Sequence, residues 1–458
     1  MRTTQMLQTD VRGLVLYLLP CLAAWMTIAC GAAAAGESPR MGWRGDGTGN
    51  FPDARPPVKW SATENVLWKT PMPGRSNSGP LVVGDRVFTC SEPSTLLCVS
   101  AADGKVLWSD ALTFTDAAPE DDSEAAEIIA RWRTAKTEAE KKAVRKDMLR
   151  CDYFEMPPVM GWHFGFCLEY TLPTPASDGK QVYVVYGTGM IGAYGVDGKR
   201  LWARMLTKPD SGAGYAASPL LAGGRLLINM GGSLHGLDPA DGKTAWKIKH
   251  KECYGSPVRA QVGGTEVVVM PKGDVFRATD GMKLASQAAV NYYQSAVVQG
   301  DVVYSMRDDC FSDEDGSPKA MAVRLKPAPD GTIITEKLWE TTARSGFSSP
   351  LCADGLLYNS KNKIGVVAFD ASTGRTVWTA RLNMGDAENY PCITRAGPYL
   401  YVPDQRGRTS VLQAGRGYKE VAFNQLCDQG DQMIGAPLFV GDRMYVRTHK
   451  FLFCIGSK

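Results

Sequence analysis

The chain has 458 residues, including 48 Gly and 27 Pro, with 44% hydrophobic and 22% charged residues and a formal net charge of +3. That length supports a large core or several domains, and the Gly and Pro content points to a turn-rich globular fold. So small a net charge, with no basic cluster interleaved with aromatics, gives no electrostatic case for a nucleic-acid partner.

Taken in order, the chain opens on a targeting pattern. Arg2 and Arg12 precede an apolar run from Leu14 to Ile28, and small residues follow from Gly31 to Gly36. This is the form of a secretory signal, so residues 1–35 are expected to be removed after Ala35 and the protein to reach the periplasm or cell envelope. Thr27-Ile28-Ala29-Cys30-Gly31 offers a second reading, lipid attachment at Cys30, and only by that route is membrane association expected. The apolar run of about 15 residues is short for a bilayer span, and no later stretch is longer. Beyond Cys21 and Cys30, ten cysteines remain, none in a CxxC pair, so no zinc site is expected. Cys90 with Cys98, and Cys151 with Cys167, are conceivable bridges. The competing expectation is that most are small buried strand residues.

Residues 36–60 read as an irregular Gly- and Pro-rich arm. Arg44-Gly45-Asp46 within it spells a cell-adhesion tripeptide, which we read as chance. From residue 61 the chain repeats itself. Asp103-Gly104-Lys105-Val106-Leu107-Trp108, Asp197-Gly198-Lys199-Arg200-Leu201-Trp202 and Asp241-Gly242-Lys243-Thr244-Ala245-Trp246 are one phrase, and Thr373-Gly374-Arg375-Thr376-Val377-Trp378 is a variant. Asp280-Gly281-Met282-Lys283 keeps the turn without the Trp. Each phrase reads as a tight turn, with Gly at positive φ, leading into a short strand that ends on a large aromatic. A second signal recurs ahead of it: Gly79-Pro80, Thr174-Pro175, Ser218-Pro219, Ser256-Pro257, Ser349-Pro350, Tyr390-Pro391 and Ala436-Pro437, with Ser295-Ala296 as a version lacking Pro, make eight openings. A recurrence of roughly 40 residues built from strands and turns predicts a propeller. The last repeat runs out before its Trp-bearing strand, and Val66 to Thr70 supplies one. The fold class expected is therefore all-β, an eight-bladed β-propeller closed by N- and C-terminal strands in one blade. Seven blades is the alternative if the repeats at Ser256 and Ser295 merge.

Two insertions interrupt the period. Residues 111–170 are expected to hold a helical part over residues 121–150, with a capping box at Thr137-Glu138-Ala139-Glu140, followed by an aromatic segment. They read as a flap on the ring, or as a lid or partner-docking arm. Residues 308–318 are acidic; calcium is one reading and a solvated loop the stronger one.

The phrase Leu234 to Trp246 resembles the tryptophan-docking repeat of pyrroloquinoline-quinone (PQQ) propellers, the quinoprotein alcohol dehydrogenase-like family. The opening from Trp43 to Gly49, with Glu64 to Pro71, is similar to exported PQQ-like propellers of planctomycete-type bacteria. The resemblance implies that each repeat Trp packs near the turn Gly of the neighbouring blade. It implies chemistry less firmly. The dehydrogenase branch holds PQQ with calcium under the ring axis and uses a Cys-Cys pair that this sequence lacks. The BamB-like branch is non-catalytic and binds proteins. The function expected is thus an exported binding or scaffold module, probed against the alternative of a PQQ- and calcium-dependent oxidoreductase. No cofactor is expected on the first reading, and the protein is expected to be a monomer.

In a propeller, the segments leading into the innermost strands ring the channel mouth. Here they supply Arg75, Asn77, Tyr215, Glu252, Tyr254, Tyr293, Arg344, Phe347, Tyr390 and Asp431. Aromatics stack on planar or sugar-like ligands and Arg clamps carboxylates, so these residues are the expected site for an envelope protein or a small planar or saccharide ligand. If the chain were an oxidoreductase, Asp431 or Glu252 would be its base. The competing expectation is that the aromatics pack between blades. Of the four His, His235 and His449 fall in or beside strands and read as structural.

Overall fold

The structure is a computed structural model, and it describes residues 41–117, 122–156, 170–210, 214–307, 320–343, 346–361, 365–384, 390–428 and 430–457. Eight sheets follow one another along these residues, each built on four antiparallel strands. Blade 1 comprises Leu81–Val83, Arg86–Ser91, Thr95–Ser100 and Val106–Ala111. Blades 2 to 7 span residues 176–205, 220–249, 258–285, 297–341, 351–381 and 394–425. Blade 8 joins Leu438–Val440, Arg443–Arg447 and Phe451–Ile455 to Val66–Pro71 from the other end of the chain, with Trp68 opposite Cys454. The ring therefore has eight blades, and the openings at Ser256 and Ser295 lead separate sheets.

Burial explains why the strand pattern is uneven. In blade 1 the three inner strands are buried at almost every position, while the outer strand Val106–Ala111 alternates exposed and half-buried residues. Inner strands pack on both faces and lose the period of two; the outer strand faces solvent on one side and keeps it. The core is accordingly divided among the seams. Leu81, Phe88 and Cys98 of blade 1 pack against Val182, Val184 and Tyr194 of blade 2, and comparable apolar clusters fill the other seams.

The repeated phrase pins six of the eight seams from outside; the outer strands of blades 4 and 7 carry no Trp. Trp202 Nε1 donates to the Pro239 carbonyl of the next blade at 2.9 Å, and Trp68, Trp108, Trp246, Trp339 and Trp378 make the equivalent bond. The indole lies on the turn glycine: a Cβ on Gly242, whose φ is +73°, would stand 2.7 Å from the Trp202 ring. Gly104, Gly198, Gly281 and Gly374 receive Trp68, Trp108, Trp246 and Trp339 in the same way. The Trp sits in the middle of its strand, not at the end: Thr244–Lys249 runs three residues past Trp246. Blade 4 has no Trp on its outer strand Lys283–Ala285, and the corresponding Gly331 of blade 5 meets nothing within 4 Å.

The insertion after blade 1 forms two helices, α1 (Ser123–Thr134) and α2 (Glu138–Met148). Asp122 caps the first, and Thr137 with Glu140 forms a reciprocal capping box on the second. Ala125, Ile128, Ile129 and Val144 are buried with Tyr153 against Phe114 and Met205, which lie just past or at the outer-strand ends of blades 1 and 2. The pair thus rides on the face of the ring where outer strands end and inner strands begin. The acidic stretch 308–318 and Cys167 lie outside the described residues. Cys90 and Cys98 are both free and buried, so the short bridge between them does not form.

The arm does more than lead into the ring. Met41 bridges to Ser177 on the inner strand of blade 2, and Asn50–Phe51 pairs in parallel with Arg395 and Ala396 as a fifth, innermost strand of blade 7. Between these points the chain folds back through Gly42 and Gly45, which exchange backbone hydrogen bonds. Ser177 and Ala396 lie at the far ends of inner strands that begin at the mouth. The arm therefore enters the axial channel from the opposite face, turns beneath the mouth, and leaves by the face it entered. No helix among the described residues is long and apolar enough to cross a membrane.

Candidate functional site

The Ser-Pro openings build the mouth. In blades 2 to 6 the Ser or Thr of the opening turns its hydroxyl toward the preceding blade, and in blade 7 Cys392, just after Pro391, takes that place. The Gly79 amide donates to Thr174 Oγ1, Thr174 to Ser218 Oγ, Ser218 to Ser256 Oγ, Ser256 to Ser295 Oγ, and Ser295 to Ser349 Oγ, all at 2.8–3.0 Å. The Ser349 amide then reaches Cys392 Sγ at 3.3 Å. The relay stops on either side of blade 8, where Ala436 and Gly79 carry no acceptor. There the backbones close in instead: a Cβ on Gly435 would stand 2.7 Å from the Ser78 carbonyl oxygen.

Inside this ring is a cavity of about 150 Å³. Its floor is Trp43, carried up by the arm, and its rim includes Asn77, Tyr254, Tyr293, Phe347, Tyr390 and Ile434. The aromatics form a continuous arc. Tyr254 stacks on Tyr293 at 4.8 Å, Tyr293 meets Phe347 edge-on at 5.7 Å, and Phe347 stacks on Tyr390 at 5.1 Å. Tyr292 flanks the arc, edge-on to both Tyr254 and Tyr293. Opposite stands Asn77, whose Oδ1 is hydrogen-bonded to His449 Nε2 at 2.8 Å. Burial, reinforced by nearby Arg75, pulls His449 down to about 4, so the imidazole is neutral at physiological pH.

Below the floor, Arg44 is only 3% exposed. Its Nη1 donates to the Pro350 carbonyl and its Nη2 to the Ile393 carbonyl, both at 2.9 Å. Gly49 makes room for it, since a Cβ there would stand 2.5 Å from the guanidinium. Burial lowers the Arg44 pKa, but a guanidinium remains charged, and its charge-assisted bonds tie the arm to blades 6 and 7. The tripeptide Arg44-Gly45-Asp46 thus presents no free arginine.

Of the residues expected at the mouth, the structure brings Asn77, Tyr254, Tyr293, Phe347 and Tyr390 around one cavity. Tyr215 is buried in the seam between blades 2 and 3, the competing expectation. Glu252 accepts from the amides of Gly231 and Asp210, and Asp431 from those of Gln432 and Lys450; both brace loops outside the cavity lining. Arg75 is exposed beside His449, and Arg344 lies outside the described residues. Sequence reasoning missed Trp43, which reaches the mouth only because the arm doubles back, and it missed the hydroxyl relay, although the Ser-Pro spacing carried that signal. His235 is bonded to the Met230 carbonyl inside blade 3, and His163 lies outside the described residues. Among the described residues no three His, Cys, Asp or Glu side chains come together as a metal site.

Eight blades, six of them docked by a Trp, around a small aromatic mouth define a PQQ-type propeller. The sequence matches the family model described as "Outer membrane protein assembly factor BamB" over residues 58–309 and 335–455, and the chain belongs to that family. Among solved structures it is similar to BamB from Moraxella catarrhalis, with a TM-score of 0.55 and 12% identity, covering 85% of this chain and 99% of that one. It also matches the computationally designed Ika8 protein (TM-score 0.48, 9% identity, 86% of this chain and 99% of that one). A third match is the quinohemoprotein alcohol dehydrogenase ADHIIG from Pseudomonas putida HK5 (TM-score 0.36, 11% identity, 89% of this chain and 79% of that one). At these identities the likeness speaks to fold alone. No curated protein sequence matches significantly.

Proposed function

We propose that this chain is a non-catalytic binding module of the cell envelope, with the axial mouth as its ligand site. The observation that carries this reading is the cavity itself. It is floored by the chain's own Trp43, walled by stacked aromatics, and sized at about 150 Å³, half the low end of cofactor and drug-sized sites. Such a space suits one ring, a sugar or an aromatic side chain at the tip of a partner. The family's description as an assembly factor supports an envelope protein as the partner class.

The quinone alternative asks for a donor set that the mouth lacks. PQQ is a tricarboxylate and its calcium needs oxygen ligands. The described lining holds no Lys, Arg, His, Asp or Glu side chain. Burying three carboxylates there without partners is heavily penalised, so the residues do not fit the group.

A thermal-shift titration with PQQ, with and without calcium, tests the reading. We expect no change in melting temperature. A ligand at a hundredfold excess over its dissociation constant adds about 2.7 kcal/mol, so a calcium-dependent rise would overturn it.

A further inference from the structure

The α1–α2 insertion carries a surface that the mouth does not explain. On α2 and its C-cap, residues 142, 145, 146 and 149 recur at helical spacing, within an arc of roughly 100°. They are Lys142, Arg145, Lys146 and Leu149, all exposed, with Arg150 exposed just beyond. Diametrically opposite lies Val144, buried against the ring. One face of the helix is thus committed to packing and the other is cationic.

Of the helix's own carboxylates only Glu138 falls within that arc, so Lys142, Arg145 and Lys146, with Arg150 just beyond, outnumber it. Glu140 is engaged by the Lys136 and Thr137 amides in the capping box. Asp147 pairs with Arg131 at 2.7 Å, and Glu138 lies 3.8 Å from Lys141. Arg145 rests over the Trp132 ring at 5.4 Å, and Lys142, Lys146 and Arg150 form no ion pair among the described residues. Amid these cations Leu149 is 89% exposed, the most exposed large apolar side chain among the described residues.

We propose that this stripe docks the propeller on an anionic phospholipid surface. A row of Lys and Arg is attracted by acidic headgroups, and an apolar side chain projecting from among them can insert at the boundary of the acyl region. The alternative, an acidic protein, is less well matched. Protein interfaces are depleted in Lys and centre on apolar or aromatic anchors in pockets, whereas this face is the Lys-rich outer surface of a helix. Because the helices sit on the mouth side of the ring, docking would turn the mouth toward the bilayer. The inference does not depend on what the mouth binds.

The test is co-sedimentation of residues 38–458, which form one compact unit containing all eight blades, with vesicles. One set is phosphatidylcholine alone, the other phosphatidylcholine with phosphatidylglycerol. Binding is expected only to the second set and is expected to fall as salt rises. Lys142→Gln and Lys146→Gln should each weaken it about fivefold, and together roughly 25-fold. Leu149→Ala should weaken it severalfold, and all three changes, being exposed, should leave the melting temperature where it was. Equal binding to neutral vesicles, no binding to acidic ones at low salt, or a double variant that binds like the parent would each overturn the proposal. Capture on poly-glutamate beads without vesicle binding would replace the bilayer with an acidic protein.

Discussion

Gly242 shows how much of the ring rests on single residues. Its φ of +73° is one that side-chain-bearing residues avoid, and the space a Cβ would need is filled by Trp202. Gly242→Ala therefore meets both a backbone penalty of about 1–2 kcal/mol and an overpacking penalty of about 1–3 kcal/mol. Gly331→Ala, with a similar φ of +83° and open space around it, meets only the first. Urea unfolding of the two variants should rank them in that order, and equal losses would show that the indole contact contributes nothing. Cys392 stands where other blades carry Ser or Thr. Cys392→Ser should be tolerated, with the Ser349 amide passing to a stronger acceptor, whereas Cys392→Ala should cost about 1 kcal/mol by leaving that buried amide without its acceptor. These turn and Trp residues were legible in the sequence because the rule that places them is local and repeated. The direction of a single side chain was not. It follows the register within the opening: Tyr254 stands two residues before Ser256 and lines the cavity, as Asn77, Tyr293 and Phe347 do before Gly79, Ser295 and Ser349, whereas Tyr215 stands three before Ser218 and Glu252 four before Ser256, and neither lines it.

Among the elements, the arm departs most from its sequence reading. It has no period, and its partners are distant: Arg44 bonds to carbonyls 306 and 349 positions away. Composition could identify it as irregular but not as the filling of the channel. Its anchor can be tested directly. Arg44→Ala leaves the Pro350 and Ile393 carbonyls without their charged donor and should destabilise the protein by on the order of 3 kcal/mol. It should also change the emission of Trp43, the floor of the mouth. Arg44→Lys should recover only part of the loss, since one ammonium cannot span both carbonyls as the guanidinium fork does. If melting and emission are unchanged in Arg44→Ala, the arm is not held as described. The helices, by contrast, were readable because the capping box is a short-range code.

For the molecule as a whole, closure and pH response are the properties to predict. The joining of the chain's ends in blade 8 could be deduced by counting strands, because a blade lacking its outer strand and a strand lacking its blade complete each other. The seam between blades 8 and 1, without the hydroxyl relay, is held otherwise. Trp68 and Arg443 both donate to the Ala101 carbonyl, and Arg447 reaches the Cys90 and Gly74 carbonyls. Stability should fall as pH drops below neutrality. His235 and His449 are held down to about 4, by burial first in each case, so the unfolded chain takes up their protons near pH 6.5 while the folded one does not. The contribution is fully present above pH 6.5 and is lost as pH falls toward 4, reaching about 2 kcal/mol for each by pH 5. Glu92 and Asp404, which burial pushes up, are protonated first in the folded state and act in the opposite sense. Denaturant unfolding at pH 7 and pH 5, repeated on His235→Gln and His449→Gln, separates the contributions. A wild-type stability that does not change between the two values would contradict the assignment.

The path of the arm also fixes how the protein should be held in the laboratory. Met41 stands at the far end of blade 2's inner strand, on the face away from the aromatic cavity. A protein shortened to begin there and coupled to a sensor chip through its amino end would lie with the cavity pointing into the flow. Coupling through lysines of α2 would instead press that rim against the chip and hide it. The same analyte run over both surfaces would then report, by signal on one and silence on the other, which side of the disc it recognises.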